Sequence, residues 1–125
     1  MDVNDLMLGD WVMNACGTPR KVYELVQDQV TYELEGGGLN TTHCNQLYPI
    51  PLTEEILVKN GWDFRDRQYA IECKEDEQGI VELSRDKDGY YWSINWDEYL
   101  IIRIHYVHEL QHILRLCGIE KEIEL

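Results

Sequence analysis

The first fifty residues of the chain alternate between apolar and polar side chains in short runs, and this pattern restricts the fold more than any other feature. The runs read LGDWVMN, RKVYELV, VTYELE, LNTTHC and NQLYPI, and they are separated by CGTP, QDQ and three glycines at 36–38. An alternation with a period of two is typical of strands that bury one face. Five such strands with tight connections predict a strongly bent, SH3-like β-barrel over residues 1–50. The three glycines are expected to supply the positive φ of a sharp turn.

The next segment, PLTEEILVKNGW at residues 51–62, predicts one short and well-capped helix. Thr53 is a good N-cap for a helix at 54–60. Gly61 suits the left-handed position after the helix, from which Trp62 can pack back on Leu57. The segment therefore predicts a structural connection.

The remainder, residues 63–125, returns to strand patterns and then to one helix. QYAIECK, GIVELSR, YYWSI and YLIIRI predict an antiparallel meander of three or four strands. A helix is expected from about Tyr106 to Cys117, with Gly118 as its stop. The tail IEKEIEL alternates again, as an added edge strand would. The whole chain, 1–125, is predicted to be a single α+β domain.

Composition restricts the possible partners. The formal net charge is −13 over 125 residues, which disfavours direct nucleic-acid binding because phosphate backbones attract clustered Lys and Arg. The charge is compatible with high solubility, with a basic protein partner, or with imitation of nucleic acid. No apolar run approaches the roughly 18 residues of a membrane span, and the acidic N-terminus has no leader pattern. We therefore expect a cytoplasmic protein that does not contact membranes.

Residues 108–112 read HELQH, which matches the HExxH pattern of zinc peptidases. That spacing places two His ligands on one helical face, with the Glu beside them as general base. On a helical wheel His105, His108 and His112 share one polar face, opposite the apolar side chains. They predict at most a weak surface metal site.

The rest of a zinc enzyme is missing from the sequence. ILRLCG follows His112 without the glycine and third histidine of a metzincin, and only a short acidic tail remains to supply a distant ligand. We therefore expect no catalytic residues, no resident metal and no cofactor.

Acidic and aromatic residues in the second half form the candidate partner surface. They lie in the charged turn EDEQG, in the strand YYWSI and in the link NWDE that follows it. The residues are Glu75, Asp76, Glu77, Tyr90, Tyr91, Trp92 and Trp96. Carboxylates at alternate strand positions project from one face. A longer acidic stretch could therefore also imitate a phosphate backbone, and its residues are Glu72, Glu75, Asp76, Glu77, Glu82, Asp86 and Asp88. A solvated hairpin surface also explains the acidic residues, and packing in a core or an interface also explains the aromatic ones.

Three blocks of the sequence, LGDWV, PIPLTEEIL and YVHELQ, occur here in one order. In this the chain resembles a family of small uncharacterised proteins carried by phages and mobile elements of gut anaerobes. The resemblance covers both ends and the centre, and it implies a context without a mechanism. Family members more often carry Gln and Asn at the positions of Glu109 and His112, which implies that HELQH is a chance match.

These observations predict a non-catalytic accessory protein of phage or mobile-element type that acts by protein–protein binding. Two alternatives stay open, an acidic nucleic-acid mimic that inhibits a DNA-binding protein and a zinc-dependent hydrolase that uses HELQH. The partner's identity and the oligomeric state are not determined by the sequence.

Overall fold

The computed structural model describes residues 1–65, 68–72, 80–85, 90–94, 97–116 and 121–125. Two compact units are found within it. The first comprises Met1–Pro51 and Tyr106–Arg115, and the second comprises Leu52–His105 and Leu116–Leu125. Whether they form the single domain predicted above stays a prediction.

The first unit contains the five predicted strands, joined as an antiparallel sheet in the order β4-β3-β2-β1-β5. Their bounds are β1 Trp11–Met13, β2 Pro19–Val26, β3 Gln29–Glu33, β4 Leu39–His43 and β5 Tyr48–Pro49. The last strand returns to pair with the first, where Val12 lies opposite Pro49. Within residues 1–51 no ladder joins β4 to β5, so the predicted closure of the sheet into a barrel is not confirmed.

Alternating side chains of these strands build the core of the first unit. Val12, Val22, Val30 and Tyr32 are buried, each within a strand whose neighbouring positions are more exposed. The sequence analysis missed short 3-10 helices at Val3–Asp5 and Cys44–Gln46. Cys44 is buried, and so are Leu6 and Leu47, which directly follow the two helices. The buried cluster consists of Leu6, Val12, Val22, Val30, Tyr32, Cys44 and Leu47.

Of the three glycines at the β3–β4 turn, only two have the positive φ that was predicted for all of them. Gly36 and Gly37 have φ of 89° and 93°, whereas Gly38 is outside that region. A Cβ on Gly38 would stand 3.5 Å from the Leu34 side chain, an ordinary contact. The need for glycine is therefore confined to positions 36 and 37.

We expect Gly37→Ala to lower the free energy of unfolding by about 1–2 kcal/mol, because a Cβ is disfavoured at positive φ. Gly38→Ala should be neutral or stabilise by up to about 1 kcal/mol through the unfolded state. Urea denaturation of the two variants measures the difference. Equal stabilities would contradict this assignment of the turn.

The second unit begins with α1, Glu54–Lys59, whose predicted caps are confirmed. The Thr53 side chain accepts a hydrogen bond from the Ile56 amide at 3.3 Å. At the other end Gly61 has φ 87°, and the Trp62 amide donates to the Leu57 carbonyl at 3.0 Å. The amide of Gly61 donates in turn to the Val58 carbonyl, which completes a Schellman motif.

After α1 the chain forms a second antiparallel sheet of five strands, in the order β10-β9-β8-β7-β6. The bounds are β6 Asp63–Arg65, β7 Gln68–Glu72, β8 Ile80–Arg85, β9 Tyr90–Ile94 and β10 Asp97–Ile104. The prediction of three or four strands therefore missed at least one, because β6 has only three residues and is too short to show a pattern. Together with the first unit, this arrangement fits the predicted α+β class.

The C-terminal tail is not the edge strand that its alternation suggested, because residues 121–125 are irregular. Instead, the tail is fixed to the end of α1 by side-chain hydrogen bonds. The Asn60 side chain donates to the Glu124 carbonyl and accepts from the Glu124 amide, both at 2.7 Å. Ile123 beside them is buried. The backbone of Glu124 thus bonds to the Asn60 side chain and not to a neighbouring strand.

The last helix, α2, spans Val107–Leu116 and belongs to the first unit up to Arg115. Its predicted start at Tyr106 is correct to within one residue, and its predicted end at Cys117 and Gly118 lies outside the described residues. Tyr106 forms a bridge with Pro51, and the Val107 amide donates to the Ile50 carbonyl at 2.9 Å. Among the described residues, no helix has the length and apolar content needed to cross a membrane.

Candidate functional site

A buried carboxylate, Asp10, is the centre of a polar network in the first unit. Asp10 is fully buried, and its Oδ2 accepts a hydrogen bond from the Met7 amide at 2.8 Å. The same oxygen lies 2.6 Å from Nε2 of His112, while Nη1 of Arg115 donates to Oδ1 at 3.1 Å. A buried charge is costly unless it is paired and hydrogen-bonded, and here each oxygen has a partner.

Gln111 extends this network along the same segment of chain. Its Oε1 accepts from the Trp11 amide at 2.8 Å, and its Nε2 donates to the Gly9 carbonyl at 2.9 Å. A Cβ at Gly9 would stand 3.0 Å from Nη2 of Arg115, so a larger residue would displace that guanidinium. The polar side of α2 is therefore fixed to residues 7–11 by groups from three of its residues.

His108, Glu109 and His112, the three residues that a zinc peptidase would use in HELQH, each have a contact within the fold. His112 bonds Asp10, as described, and the Glu109 side chain accepts from the Tyr106 amide at 3.0 Å. That bond is one half of a capping box at the start of α2. His108 stacks on Tyr106, with ring centroids 5.9 Å apart. These contacts form the start of α2 and pack α2 against Asp10.

The predicted polar histidine face is wrong in two respects. His108 is only 5% exposed, because it packs between Tyr106 and His112 instead of facing solvent. His105 precedes α2, and its carbonyl accepts from the Leu52 amide, so it is not on the helix. Within the described ranges, no three His, Cys, Asp or Glu side chains are grouped so that they could hold a metal ion.

Burial makes His108 a neutral imidazole. Its pKa is lowered from the ordinary value of 6.5, chiefly by desolvation, although the charges of Asp10 and Glu109 act in the opposite direction. Its Nδ1 is buried and has no hydrogen-bond partner among the residues that the structure describes. An unsatisfied buried nitrogen of this kind is uncommon.

We expect the stability of the protein to fall as the pH falls below about 6.5, in part because of His108. Since the folded-state pKa is lowered, the unfolded chain binds more protons between the folded and unfolded pKa values. The contribution is therefore complete above the unfolded value and is lost as pH decreases towards the folded one. Thermal unfolding from pH 7.5 to 4.5 should show a smaller pH dependence for His108→Phe than for the wild type.

His43→Asn is the matched control for this measurement. His43 is exposed and accepts from the Asn45 amide through Nδ1, a role that an asparagine cap can also fill. We expect this variant to change the pH dependence less than His108→Phe does, because the exposed Asn45 amide can bond to water in place of the side chain. A His108→Phe curve parallel to the wild-type curve would contradict the role assigned to His108.

The buried histidine lines a pocket of about 650 Å³. Apolar and aromatic side chains form one part of its wall and polar groups form the rest. The lining residues are Met1, Asn4, Asp5, Asn45, Leu47, Tyr48, Pro49, Tyr106, His108, Glu109 and His112. Tyr48 and Tyr106 are 49% and 37% exposed. A pocket with aromatic walls and a few polar groups is the usual form of a ligand site.

The partner surface predicted from the sequence belongs to a part of the chain whose side chains the structure does not describe. Glu75, Asp76, Glu77 and Trp96 lie outside the described residues, and Tyr90, Tyr91 and Trp92 form part of β9, where only the backbone is described. That surface stays a prediction.

Sequence reasoning missed Asp10, whose partners are distant in sequence, and it missed the pocket. The available signal was an aspartate placed directly before the first strand, in LGDWV. Comparison with models of known protein families, with curated proteins and with solved structures gives no match.

Proposed function

We propose that this chain is a non-catalytic accessory protein, of the kind carried by phages or mobile elements, that acts by binding another protein. The observation that carries the proposal is the open pocket, with Tyr48 and Tyr106 exposed at its wall. Tyrosines supply large, rigid contact area at little cost in conformational entropy, and aromatic residues are enriched at protein interfaces. The proposal includes a cytoplasmic location.

The contacts of the HELQH residues support a binding role over hydrolysis. A zinc hydrolase needs two histidines as metal ligands and a glutamate placed as general base. Here Nε2 of His112 is directed at Asp10 and the Glu109 carboxylate at the Tyr106 amide. These side chains serve the packing of α2.

The strand order supports a bent, SH3-like barrel as the frame of the binding surface. β5 returns to β1 after the 3-10 helix Cys44–Gln46, and the register of β2 against β3 shifts between Val22 and Glu24. Bulges of this kind increase the twist and bend of a strand. Small barrels serve many functions, so the pocket and not the frame suggests the role.

Affinity capture with the full chain tests the proposal. We expect the tagged wild type to retain one protein in stoichiometric amount from a lysate of a gut anaerobe. Tyr48→Ser should lose that protein, since a large aromatic contact is removed from the pocket wall. Tyr23→Ser is the matched control, because Tyr23 is similarly exposed, at 51%, but does not line the pocket. Absence of any stoichiometric protein, or equal capture by Tyr48→Ser, would contradict the proposal.

A further inference from the structure

We propose that Asn60 and Gly61 form a site of spontaneous deamidation, and that docking of the tail, residues 121–125, controls its rate. Asn60 is the one asparagine of the sequence that is followed by glycine. Asparagine is a thermolabile residue, and glycine has no side chain to shield its backbone nitrogen from the side chain before it. The pair therefore places a side-chain amide next to an accessible nucleophilic nitrogen.

The reaction needs only these two residues and water. The Gly61 backbone nitrogen attacks Cγ of Asn60, so that a bond forms between these two atoms while the bond from Cγ to Nδ2 breaks. Nδ2 leaves as ammonia together with the proton of the Gly61 amide, and a cyclic imide remains. Water then opens the imide at either of its carbonyl groups, which gives aspartate or isoaspartate at position 60. Gly61 is exposed, so water can reach the imide.

In the folded chain both reacting groups are engaged in hydrogen bonds. Asn60 is only 6% exposed, and its Nδ2 donates to the carbonyls of Ile56 and Glu124, each at 2.7 Å. Its Oδ1 accepts from the Glu124 amide at the same distance of 2.7 Å. The Gly61 amide donates to the Val58 carbonyl at 3.1 Å. The asparagine side chain is thereby held in one orientation, and its bonds to residue 124 must break before it can turn.

The tail therefore determines how often Asn60 can react. Residues 121–125 have no regular secondary structure, and such segments commonly open at a lower free-energy cost than core elements. Besides the bonds of Asn60, the Lys59 ammonium donates to the Leu125 carbonyl, and Ile123 is buried. Loss of one such hydrogen bond is expected to raise the open fraction of the tail about twofold to tenfold.

Deamidation in turn weakens the docking of the tail. Aspartate at position 60 keeps an acceptor for the Glu124 amide, but it loses both donor bonds of Nδ2. It also places a negative charge against the carbonyl oxygens of Ile56 and Glu124. Isoaspartate lengthens the backbone by one methylene at the end of α1 as well. Because the ammonia is lost, the modification is a one-way release of the tail.

Incubation of the full chain at mildly alkaline pH, followed by peptide mapping with mass spectrometry, tests the proposal. Conversion at Asn60 should yield both aspartate and isoaspartate, because direct hydrolysis of the side chain gives aspartate alone. Glu124→Pro removes the amide that bonds to Oδ1 of Asn60, and we expect it to convert Asn60 about fivefold to tenfold faster than the wild type. Glu124→Ala is the matched control, since it keeps the backbone amide, and should convert at the wild-type rate.

Lys59→Met is a second test that leaves every bond of the Asn60 side chain in place. It removes the bond from Lys59 to the Leu125 carbonyl and keeps a good helix former in α1. We expect it to convert Asn60 about twofold to fivefold faster than the wild type. Lys59→Arg is its matched control, because arginine retains a donor for that carbonyl. The wild type unfolded in urea, in which no docking remains, should convert fastest of all.

Three results would overturn the proposal. They are no conversion at Asn60 in the urea-unfolded chain, aspartate as the sole product, and tail variants that convert Asn60 no faster than their matched controls. Circular dichroism shows whether Glu124→Pro is folded. If it is not, the comparison of Lys59→Met with Lys59→Arg decides the role of the tail.

Discussion

Replacing Asp10 with alanine is expected to lower the free energy of unfolding by about 2–4 kcal/mol. The change removes the acceptor for the Met7 amide and the acid partner of His112 and Arg115 at once. His112 and Arg115 keep side-chain exposures of 26% and 35%, so water can recover part of their lost interaction. The Met7 amide loses its acceptor in a part-buried position, and the space of the fully buried carboxylate is left as a small polar cavity.

Two further variants separate the contributions to this loss of stability. Asp10→Asn removes the charge and keeps one acceptor, and Asp5→Ala removes an exposed carboxylate as a control. Asparagine keeps one acceptor oxygen but loses the charge that pairs with Arg115, so its loss should be intermediate. Asp5 is exposed, and its removal should change stability by no more than about 0.5 kcal/mol. Urea denaturation with an unchanged m-value measures all three. An Asp10→Ala variant as stable as Asp5→Ala would show that the network does not hold α2 to residues 7–11.

The strands of the first unit could be predicted because their signals are local. An alternation of period two and the turn residues around Gly17 and Gly36 are properties of neighbouring residues, and the structure places a strand in each predicted run. The pairing of β5 with β1 depends instead on residues that are far apart in sequence, so the sequence pattern alone does not determine it. The 3-10 helices are too short to show a period and were missed for that reason.

The polar network could not be predicted because its partners are distant. Asp10 and His112 are separated by 102 positions, and Asp10 and Arg115 by 105, and no local pattern encodes such a contact. The helical wheel also misplaced His108. Sorting side chains by polarity assigns every histidine to solvent, whereas a neutral imidazole can be buried against aromatic rings. On the apolar side that the wheel predicted, Leu110 and Leu114 are buried, whereas Tyr106 is 37% exposed.

The prediction of an edge strand for the C-terminal tail failed for a different reason. The alternation of polarity is present, but it does not come from a strand. Residues 121–125 alternate in polarity and bury Ile123 as an edge strand would. Their backbone groups bond instead to Asn60, a residue buried at the end of α1. Hydrogen bonds to the side chains of Asn60 and Lys59 therefore hold a tail that has no strand structure over residues 121–125.

The second large effect is expected from Gly61→Val, which should destabilise the protein by about 2–3 kcal/mol. Gly61 has φ 87°, a region that a β-branched residue rarely adopts. A Cβ there would also stand 3.6 Å from Nζ of Lys121, and Lys121 lies over the Trp62 ring at 5.6 Å. If valine forces the backbone away from positive φ, the Trp62–Leu57 hydrogen bond of the Schellman motif is lost.

Gly61→Asn is the control that distinguishes backbone strain from the loss of glycine as such. Asparagine tolerates the left-handed region and occurs at this helix position, so it should cost about 1 kcal/mol or less. Thermal and urea unfolding of both variants give the comparison. If Gly61→Val retains the wild-type melting temperature, the left-handed cap is not needed. If Gly61→Asn is as damaging as valine, crowding at Lys121 and Trp62 decides the effect in place of backbone strain. The expected order, wild type above Asn and Asn well above Val, follows only if the cap itself fixes the path from α1 into β6.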